Sequence, residues 1–319
     1  MTKIIGNTPM IKIKYEYNGK EKEIYTKLEY YNLSGSIKDR VAYYIINNAK
    51  KRGTLKENMP IIEATSGNTG IALAALGAYY KHPVYIFMPD WASMERIELM
   101  KLYGAKVILF SKEEGGFKRC INEAKKLAED KNGFLANQFS NEDNIQAHYE
   151  TTAKEIIDEV GDNIGGFASG IGTGGTLIGI AKRLKEMNNN VKVVALEPDK
   201  MPLLSKNTII DNHKIEGIGD DFIPDLVDKN MIDDVILIND DDAINMSKKI
   251  AKDLGIGVGI SAGANLIAGV LLGEKVNKNV VTVFPDDNKK YLTTDLTKDI
   301  KENKNFISNE IKLIDYQIV

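Results

Sequence analysis

Residues 61–80 read IIEATSGNTGIALAALGAYY and contain the pattern that decides the fold. The run Ile61–Thr65 is short and apolar, as is typical of a buried strand, and the apolar stretch Asn68–Tyr80 predicts a helix. The strand leads almost directly into the helix. This is the βα unit from which parallel sheets are built.

The same alternation of strand and helix continues along the chain. Further strands are predicted at Val84–Met88, Lys106–Phe110, Phe167–Ile171, Val191–Leu196 and Val280–Phe284. Helices are predicted between the strands, at Ser93–Tyr103, Gly116–Asp130, Gln146–Val160 and Thr176–Met187. Buried parallel strands give such continuous apolar runs, so the pattern predicts an α/β fold in two blocks that divide near residue 145. The polar stretch 301–319 predicts a peripheral tail or an edge strand.

The composition narrows the class of protein. The chain has 319 residues, 43% of them apolar, and a net charge of −3, which does not indicate a nucleic-acid-binding surface. It has no run of about 18 apolar residues that would predict a membrane span, and no apolar signal-peptide core near Met1. The single cysteine, Cys120, lies on the apolar face of a predicted helix and fits a buried residue in a reducing compartment. We therefore expect a cytoplasmic protein that binds neither nucleic acid nor membrane.

Lys38 is the strongest candidate for chemistry. It stands in NLSGSIKDR, residues 32–40, between a Ser-Gly-Ser turn and an amphipathic stretch. A cation at the start of a helix opposes the helix dipole, and burial acts in the same direction, so both lower the pKa of the lysine. The neutral amine is the nucleophile that forms Schiff bases. The alternative is a solvated surface lysine.

Three loops that lead into helices are candidates for anion binding. The loops Thr65–Gly70 and Gly170–Thr176 each follow a predicted strand, and backbone N–H groups at such a helix start can hold a phosphate or a carboxylate. The third loop, Gly259–Asn265, presents the hydroxyl of Ser261. Each loop is also explained as an ordinary helix cap.

The loop Gly170–Thr176 supports a second interpretation. Its glycines Gly170, Gly172 and Gly175 satisfy the G-x-G-x-x-G pattern of dinucleotide-binding proteins, and Glu197 follows at a suitable spacing. An NAD-dependent oxidoreductase is therefore an alternative. The motif lies in the middle of the chain, however, and this interpretation leaves Lys38 without a role.

Together the motifs resemble those of the cysteine synthase and cystathionine β-synthase family of pyridoxal 5'-phosphate (PLP) enzymes, which are tryptophan-synthase-β-like and of fold type II. The resemblance covers nearly the whole chain, and the motifs occur in the family's order. The matching segments are Ile5–Pro9, Gly35–Arg40, Ser66–Gly70, Met88–Pro89, Glu95–Arg96, Asn137–Asn141, Gly172–Thr176, Glu216–Gly219 and Ser261.

The resemblance implies roles for the matching residues. Lys38 would carry PLP as a Schiff base and remove the Cα proton, Asn68 would hold the phenolic oxygen, and Ser261 would face the pyridine nitrogen. The implied cofactor-binding residues are Lys38, Asn68, Gly172, Thr173, Gly174, Gly175, Thr176 and Ser261. The implied substrate-binding residues are Thr65, Ser66, Asn68, Thr69, Gln138 and Gly217. A neutral hydroxyl at the pyridine nitrogen favours loss of a β-substituent, which gives an α-aminoacrylate that a nucleophile attacks.

The resemblance also implies how the chain is organised. Residues 1–35 and 150–319 would form the larger, phosphate-binding domain, and residues 36–149 the smaller, mobile domain. Each would contain a twisted, mainly parallel sheet flanked by helices, with PLP in the cleft between them. The substrate would be a small L-amino acid and the assembly a homodimer.

We expect no metal site, because the scattered histidines His82, His148 and His213 have no ligand spacing and are interpreted as structural or surface residues. Asp286 and Asp287 follow a predicted strand and are interpreted as a solvated loop.

Asp220 departs from the family pattern. Cysteine synthases typically have a small neutral pair where Asp220 and Asp221 stand. A carboxylate there would repel hydrosulfide but can act as a general base toward water. We therefore predict that L-cysteine and water give L-serine and hydrogen sulfide, with Asp220 activating water.

Two further alternatives remain. In the first, Asp220 points to solvent and the protein is a cysteine synthase that makes L-cysteine from O-acetyl-L-serine. In the second, the protein is a non-catalytic relative, which the intact Lys38, Asn68 and Ser261 argue against.

Overall fold

The computed structural model describes residues 3–300 and 303–319. Its strands are β1 (Met10–Tyr17), β2 (Lys20–Leu28), β3 (Ile61–Ala64), β4 (Val84–Pro89), β5 (Lys106–Phe110), β6 (Phe134–Leu135), β7 (Ile164–Gly170), β8 (Lys192–Pro198), β9 (Asp234–Ile238), β10 (Asn279–Phe284) and β11 (Lys312–Ile318). Its α-helices are α1 (Lys38–Arg52), α2 (Asn68–Tyr80), α3 (Met94–Leu102), α4 (Gly116–Asp130), α5 (Asp143–Ala147), α6 (Ala153–Val160), α7 (Gly175–Met187), α8 (Leu203–Lys206), α9 (Asp240–Leu254), α10 (Ile260–Gly273) and α11 (Ile307–Glu310). A π-helical turn, His148–Thr152, joins α5 to α6, and short 3-10 turns occur at Glu29–Tyr31, Lys229–Met231, Asn288–Tyr291 and Asp295–Thr297.

The strands form two sheets. A seven-stranded sheet has the order β11-β1-β2-β10-β7-β8-β9, and a four-stranded sheet has the order β5-β4-β3-β6. The smaller sheet is parallel, and the larger one is parallel from β2 to β9, with β1 antiparallel to both β2 and β11. Helices flank both sheets, so the predicted α/β class with two mainly parallel sheets is confirmed.

Each sheet has its own hydrophobic core. Helix α2 is apolar around its whole circumference, which is typical of a buried helix, and Ile71, Leu73 and Leu76 are fully buried between α1 and the smaller sheet. Helix α10 is likewise buried against the larger sheet. Each buried Leu or Ile contributes about 1.5–3 kcal/mol, so both helix starts lie on a firmly packed base.

The sequence patterns located the central elements well and the peripheral ones less well. The bounds of α2, α4 and β5 agree with the prediction, and β11 is an edge strand as expected. The predicted helix Gln146–Val160 is interrupted by the π-helical turn, and β1, β2, β9 and α9 were not predicted. Part of the predicted tail, residues 301–302, lies outside the described residues.

Parallel strands bring their carboxyl ends to one edge of a sheet, and in open α/β folds this edge carries the binding site. Here the loops after β3, β7 and β10 meet the start of α1 and the start of α10 at the cleft between the sheets. Among the described residues, no helix combines the length and the apolar character needed to span a bilayer.

Candidate active site

Two adjoining pockets in the cleft collect the predicted site residues. The first is lined by Lys38, Asn68, Gly172, Thr173, Gly174, Thr176, Gly217 and Ser261, among others. The second is lined by Lys38, Thr65, Ser66, Asn68, Thr69, Gln138, Gly217 and Asp220, among others. Lys38 and Asn68 line both pockets. The structure therefore brings together every predicted site residue except Gly175, the first residue of α7, which lines neither pocket.

Lys38 is the first residue of α1 and is aimed by the turn before it. The carboxylate of Asp39 accepts hydrogen bonds from Ser34 N at 2.9 Å and from Ser34 Oγ at 2.7 Å, which folds the turn back onto the helix start. Gly35 has φ +84°, a conformation that favours glycine. Burial lowers the pKa of Lys38, while the carboxylates of Asp286 and Asp220 oppose that shift. The site thus favours the neutral amine needed for Schiff-base chemistry.

The glycine loop after β7 leaves no room for side chains on its protein side. A Cβ at Gly172 would lie 2.3 Å from Gly217 O, and a Cβ at Gly175 would lie 1.9 Å from Asn144 Oδ1. Gly174 has φ +86°. The close approach of backbone and the start of α7 form a cradle suited to a phosphate.

Two buried side chains support this cradle. Asn144 Nδ2 donates to Thr173 Oγ1 at 2.9 Å. His148 Nε2 lies 3.2 Å from Thr176 Oγ1, and its Nδ1 lies 3.0 Å from Thr152 Oγ1. Burial, with help from the cations Arg40 and Lys38, lowers the pKa of His148 well below its usual value, so the ring is neutral. Its position beside the cradle was not indicated by the scattered spacing of the histidines.

The loop after β3 is tied to the segment that carries Gln138. Thr69 Oγ1 donates to Gln138 Oε1 at 2.5 Å, and Gln138 Nε2 donates to Ala64 O at 3.1 Å. Glu63 Oε2 accepts from Gln138 N at 3.0 Å, and burial raises the pKa of Glu63 to about 7. These bonds hold the hydroxyl and amide groups of the predicted carboxylate site in one place.

Ser261 is buried at the second position of α10 and lines the first pocket with Lys38. One turn further along, Asn265 Oδ1 accepts from Gly170 N at 2.8 Å and Asn265 Nδ2 donates to Val283 O at 2.8 Å. Asn265 thereby joins the ends of β7 and β10 to the helix that carries Ser261. Sequence analysis did not identify this contribution.

Asp220 lies in the loop Glu216–Asp221 and lines the second pocket. Gly217 has φ +89° and Gly219 has φ +70°, so glycines flank the turn that brings Asp220 inward. Burial, and to a lesser extent the charge of Asp221, raise the pKa of Asp220 to about 6, while Lys38 opposes that shift. Asp220 therefore lines the pocket together with Lys38, and Asp221 is exposed.

The prediction of a solvated loop is wrong for Asp286. This residue is fully buried, and its carboxylate accepts hydrogen bonds from Asn68 and Tyr291. Its place after a parallel strand is the sequence signal that pointed to the site edge. Asp287 is only partly buried.

The structure gives less support to dinucleotide binding and to metal binding. Glu197, the acidic residue of the dinucleotide interpretation, accepts from Leu204 N at 2.8 Å and from Ser205 N at 3.0 Å, so its carboxylate is already used to cap α8. In the described part of the chain, no cluster of three or more His, Cys, Asp or Glu side chains could hold a metal ion.

The pocket has the groups that PLP requires. The backbone cradle suits its phosphate, the Lys38 amine suits its aldehyde, and the Ser261 hydroxyl suits its ring nitrogen. Asn68 Oδ1, in the pocket, is a buried polar atom without a hydrogen-bond partner among the described residues, as expected of a site shaped for a polar group.

Comparison with known proteins agrees with this geometry. Residues 1–286 match the family model of pyridoxal-phosphate dependent enzymes. A cysteine synthase of Staphylococcus aureus is 39% identical over 93% of this chain and 96% of its own length. A hydrogen sulfide-producing enzyme from Fusobacterium nucleatum superimposes with a TM-score of 0.96 at 47% identity and covers all of this chain and 97% of its own.

An aspartate-to-asparagine variant of the Fusobacterium enzyme, in complex with an α-aminoacrylate intermediate, superimposes with a TM-score of 0.95 at 48% identity over 98% of this chain and 95% of its own. Matches of this extent establish the family, the cofactor and the enzyme class. The chain belongs to the PLP-dependent cysteine synthase and cystathionine β-synthase family of fold type II.

Proposed function

We propose that this enzyme converts L-cysteine and water into L-serine and hydrogen sulfide. The general chemistry of its class, β-elimination or β-replacement through an α-aminoacrylate, follows from the family. The choice of water as nucleophile rests on one observation: the carboxylate of Asp220 lines the pocket that also holds Lys38 and the predicted carboxylate site.

In this proposal PLP supplies the electron sink that makes the Cα–H bond acidic. Thr65, Ser66, Thr69 and Gln138 bind the α-carboxylate of the substrate and fix the direction of its Cα–H bond, and Asn68 binds the phenolic oxygen of the cofactor. Such orientation alone contributes several kcal/mol to catalysis. Lys38, whose pKa is lowered by burial, takes the Cα proton, and the sulfur leaves from Cβ.

Asp220 acts in the second half of the reaction. The oxygen of a water molecule bonds to Cβ while one of its protons passes to the Asp220 carboxylate. Lys38 returns its proton to Cα, and the proton on Asp220 leaves with the hydrosulfide as hydrogen sulfide, so that one water is consumed for each hydrogen sulfide released. A carboxylate with a pKa of about 6 is a competent base near neutral pH, and its charge disfavours hydrosulfide, the nucleophile of a cysteine synthase.

The test is the carbon product that Asp220→Asn forms from L-cysteine alone, identified by NMR. Serine formation should fall at least about 100-fold, the contribution typical of a general base, while sulfide is still released once per active site. Asp221→Asn is the matched control, because the neighbouring Asp221 is exposed. Serine output that is equal in the two variants would contradict the role of Asp220.

Cysteine synthase activity is the second candidate, because curated relatives at 39–40% identity carry that name. It predicts that O-acetyl-L-serine plus sulfide is consumed far faster than L-cysteine.

We also propose how the chain is organised and assembled. Residues 36–149 form a domain that moves against residues 1–35 and 150–319. The protein is a cytoplasmic homodimer, and the exposed Ile314, Tyr316 and Ile318 on β11 favour self-association. Sedimentation of the wild-type protein tests the assembly.

A further inference from the structure

Asp286 is a buried carboxylate that the proposed reaction does not use. It follows β10, between the turn before α1 and the loop before α10. Ile37 N donates to Pro285 O at 2.8 Å, and Gly259 N donates to Asp286 O at 3.1 Å. The backbone of Asp286 is therefore fixed by the two segments that frame the site.

One oxygen of this carboxylate accepts two hydrogen bonds. Asn68 Nδ2 and Tyr291 OH each donate to Asp286 Oδ2 at 2.7 Å. Burial, together with the charge of Asp286, raises the pKa of Tyr291 well above its ordinary value, so the phenol keeps its proton and remains a donor. The guanidinium of Arg96 packs on the Tyr291 ring, 4.5 Å from its centroid.

These contacts determine which way the Asn68 amide faces. An amide has a donor nitrogen and an acceptor oxygen, whereas a carboxylate only accepts. If the amide turned by half a rotation, its Oδ1 would face Asp286 Oδ2, and two acceptors would meet in a buried space. The nitrogen therefore points to Asp286 with one hydrogen, and its second hydrogen remains for the pocket that Asn68 shares with Lys38.

We propose that Asp286 is a positioning residue that keeps the nitrogen of the Asn68 amide directed at the phenolic oxygen of PLP. The inference rests on the proposed function, in which Asn68 binds that oxygen. The same bond spans the cleft, because Asn68 begins α2 beside the smaller sheet and Asp286 follows β10 of the larger sheet.

The test is a double-mutant cycle on the holoenzyme, with Asp286→Ala, Asn68→Ala and the combined variant. The two readouts are the absorption band of bound PLP and the rate at which PLP is lost to a scavenger. Asp286→Ala removes the acceptor of both hydrogen bonds, so it should shift the band and speed the loss roughly five- to tenfold, the value of one hydrogen bond. In the Asn68→Ala background the same substitution should change both readouts much less, because the amide that Asp286 orients is gone and only the effect of the Asp286 charge on Lys38 remains.

Asp287→Ala is the matched control. Asp287 is the adjacent carboxylate, and its side chain accepts from Lys289 N at 3.2 Å, so both readouts should equal those of the wild type. A purely structural role for Asp286 would give the same effect in both backgrounds. That result, or an unchanged band in Asp286→Ala, would overturn the proposal.

Tyr291→Phe serves if Asp286→Ala does not fold, since it removes one donor to Asp286 and keeps the ring. A smaller shift in the same direction supports the proposal, and no shift overturns it. The proposed function fails separately if the wild-type holoenzyme, with its normal PLP band, forms no serine from L-cysteine, so the two failures are distinguishable.

Discussion

The phosphate loop Gly170–Thr176 and the loop Glu216–Asp221 line the same cleft but are constructed in opposite ways. At Gly175 a Cβ would lie 1.9 Å from Asn144 Oδ1, so the first loop is in close contact with the protein behind it. At Gly217 no heavy atom of the described residues lies within 4 Å of the position of a Cβ. The first loop is packed, whereas the second has open space at Gly217, although its Gly219 packs against His213 and Pro198.

This difference separates what the family shares from what distinguishes this enzyme. The groups suited to PLP stand at the starts of buried helices, where packing fixes them to within the tolerance that catalysis requires. Asp220, which in our proposal selects water, stands on the open loop, and loops can change without disturbing a core. The comparison predicts that substitutions in the packed region abolish chemistry and that substitutions in the open loop redirect it.

The largest effect is expected from Lys38→Ala. Turnover of L-cysteine should fall by about 1,000-fold or more, because the base and the covalent anchor are both lost. Sulfide release and borohydride labelling measure the two losses. Lys289→Ala, which changes a lysine with an 82% exposed side chain, is the control and should retain wild-type turnover.

Gly175→Ala and Gly217→Ala test the two loops directly. The first should lower PLP content about tenfold or more and destabilise the protein by about 1–3 kcal/mol, because the methyl group overlaps Asn144. The second should retain PLP and cost about 1–2 kcal/mol for its φ of +89°. Absorption spectra measure the PLP content, and urea unfolding measures the free energy of unfolding. Equal PLP loss in the two variants would contradict the difference between the two loops.

The pH dependence of serine formation should reflect Asp220. Because the base must be deprotonated, the rate should rise with pH through about 6, the raised pKa of Asp220. Asp220→Asn should lack this rise in its residual serine formation. A rate for the wild type that is flat between pH 5 and about 7 would argue that another group handles the water proton.

The smallest expected effect is that of Asp220→Asn on the free energy of unfolding. The pKa of Asp220 is higher in the folded protein than its ordinary value, so the folded state binds the proton more tightly and loses stability as the pH rises from about 4 to about 6. Asp220→Asn should therefore unfold with a free energy higher by on the order of 1 kcal/mol above pH 6, and the gain should vanish below about pH 4. Urea unfolding at the two pH values measures this difference.

The sequence predicted the features that depend on residues close together in the chain. The start of α2 follows from the apolar run after Asn68, and the cradle follows from the glycines before α7. The contacts of Asp286 with Asn68 and of His148 with Thr176 join residues that are 218 and 28 positions apart, so no local pattern announces them. Strand β1 was missed because only one of its faces is fully buried, so its apolar residues alternate with charged ones and do not form the continuous apolar run on which the prediction relied.

The π-helical turn His148–Thr152 affects how the length of this segment can vary. A π turn holds one residue more than an α turn without ending the helix. In a regular α-helix, deleting one residue rotates the two halves against each other by about 100°. Here the shortened turn closes into an ordinary α turn, which leaves α5 and the contact of Asn144 with Thr173 in place and moves chiefly the turn that carries His148. An engineer who removes one residue at this point would keep the fold and would alter mainly the contact of His148 with Thr176.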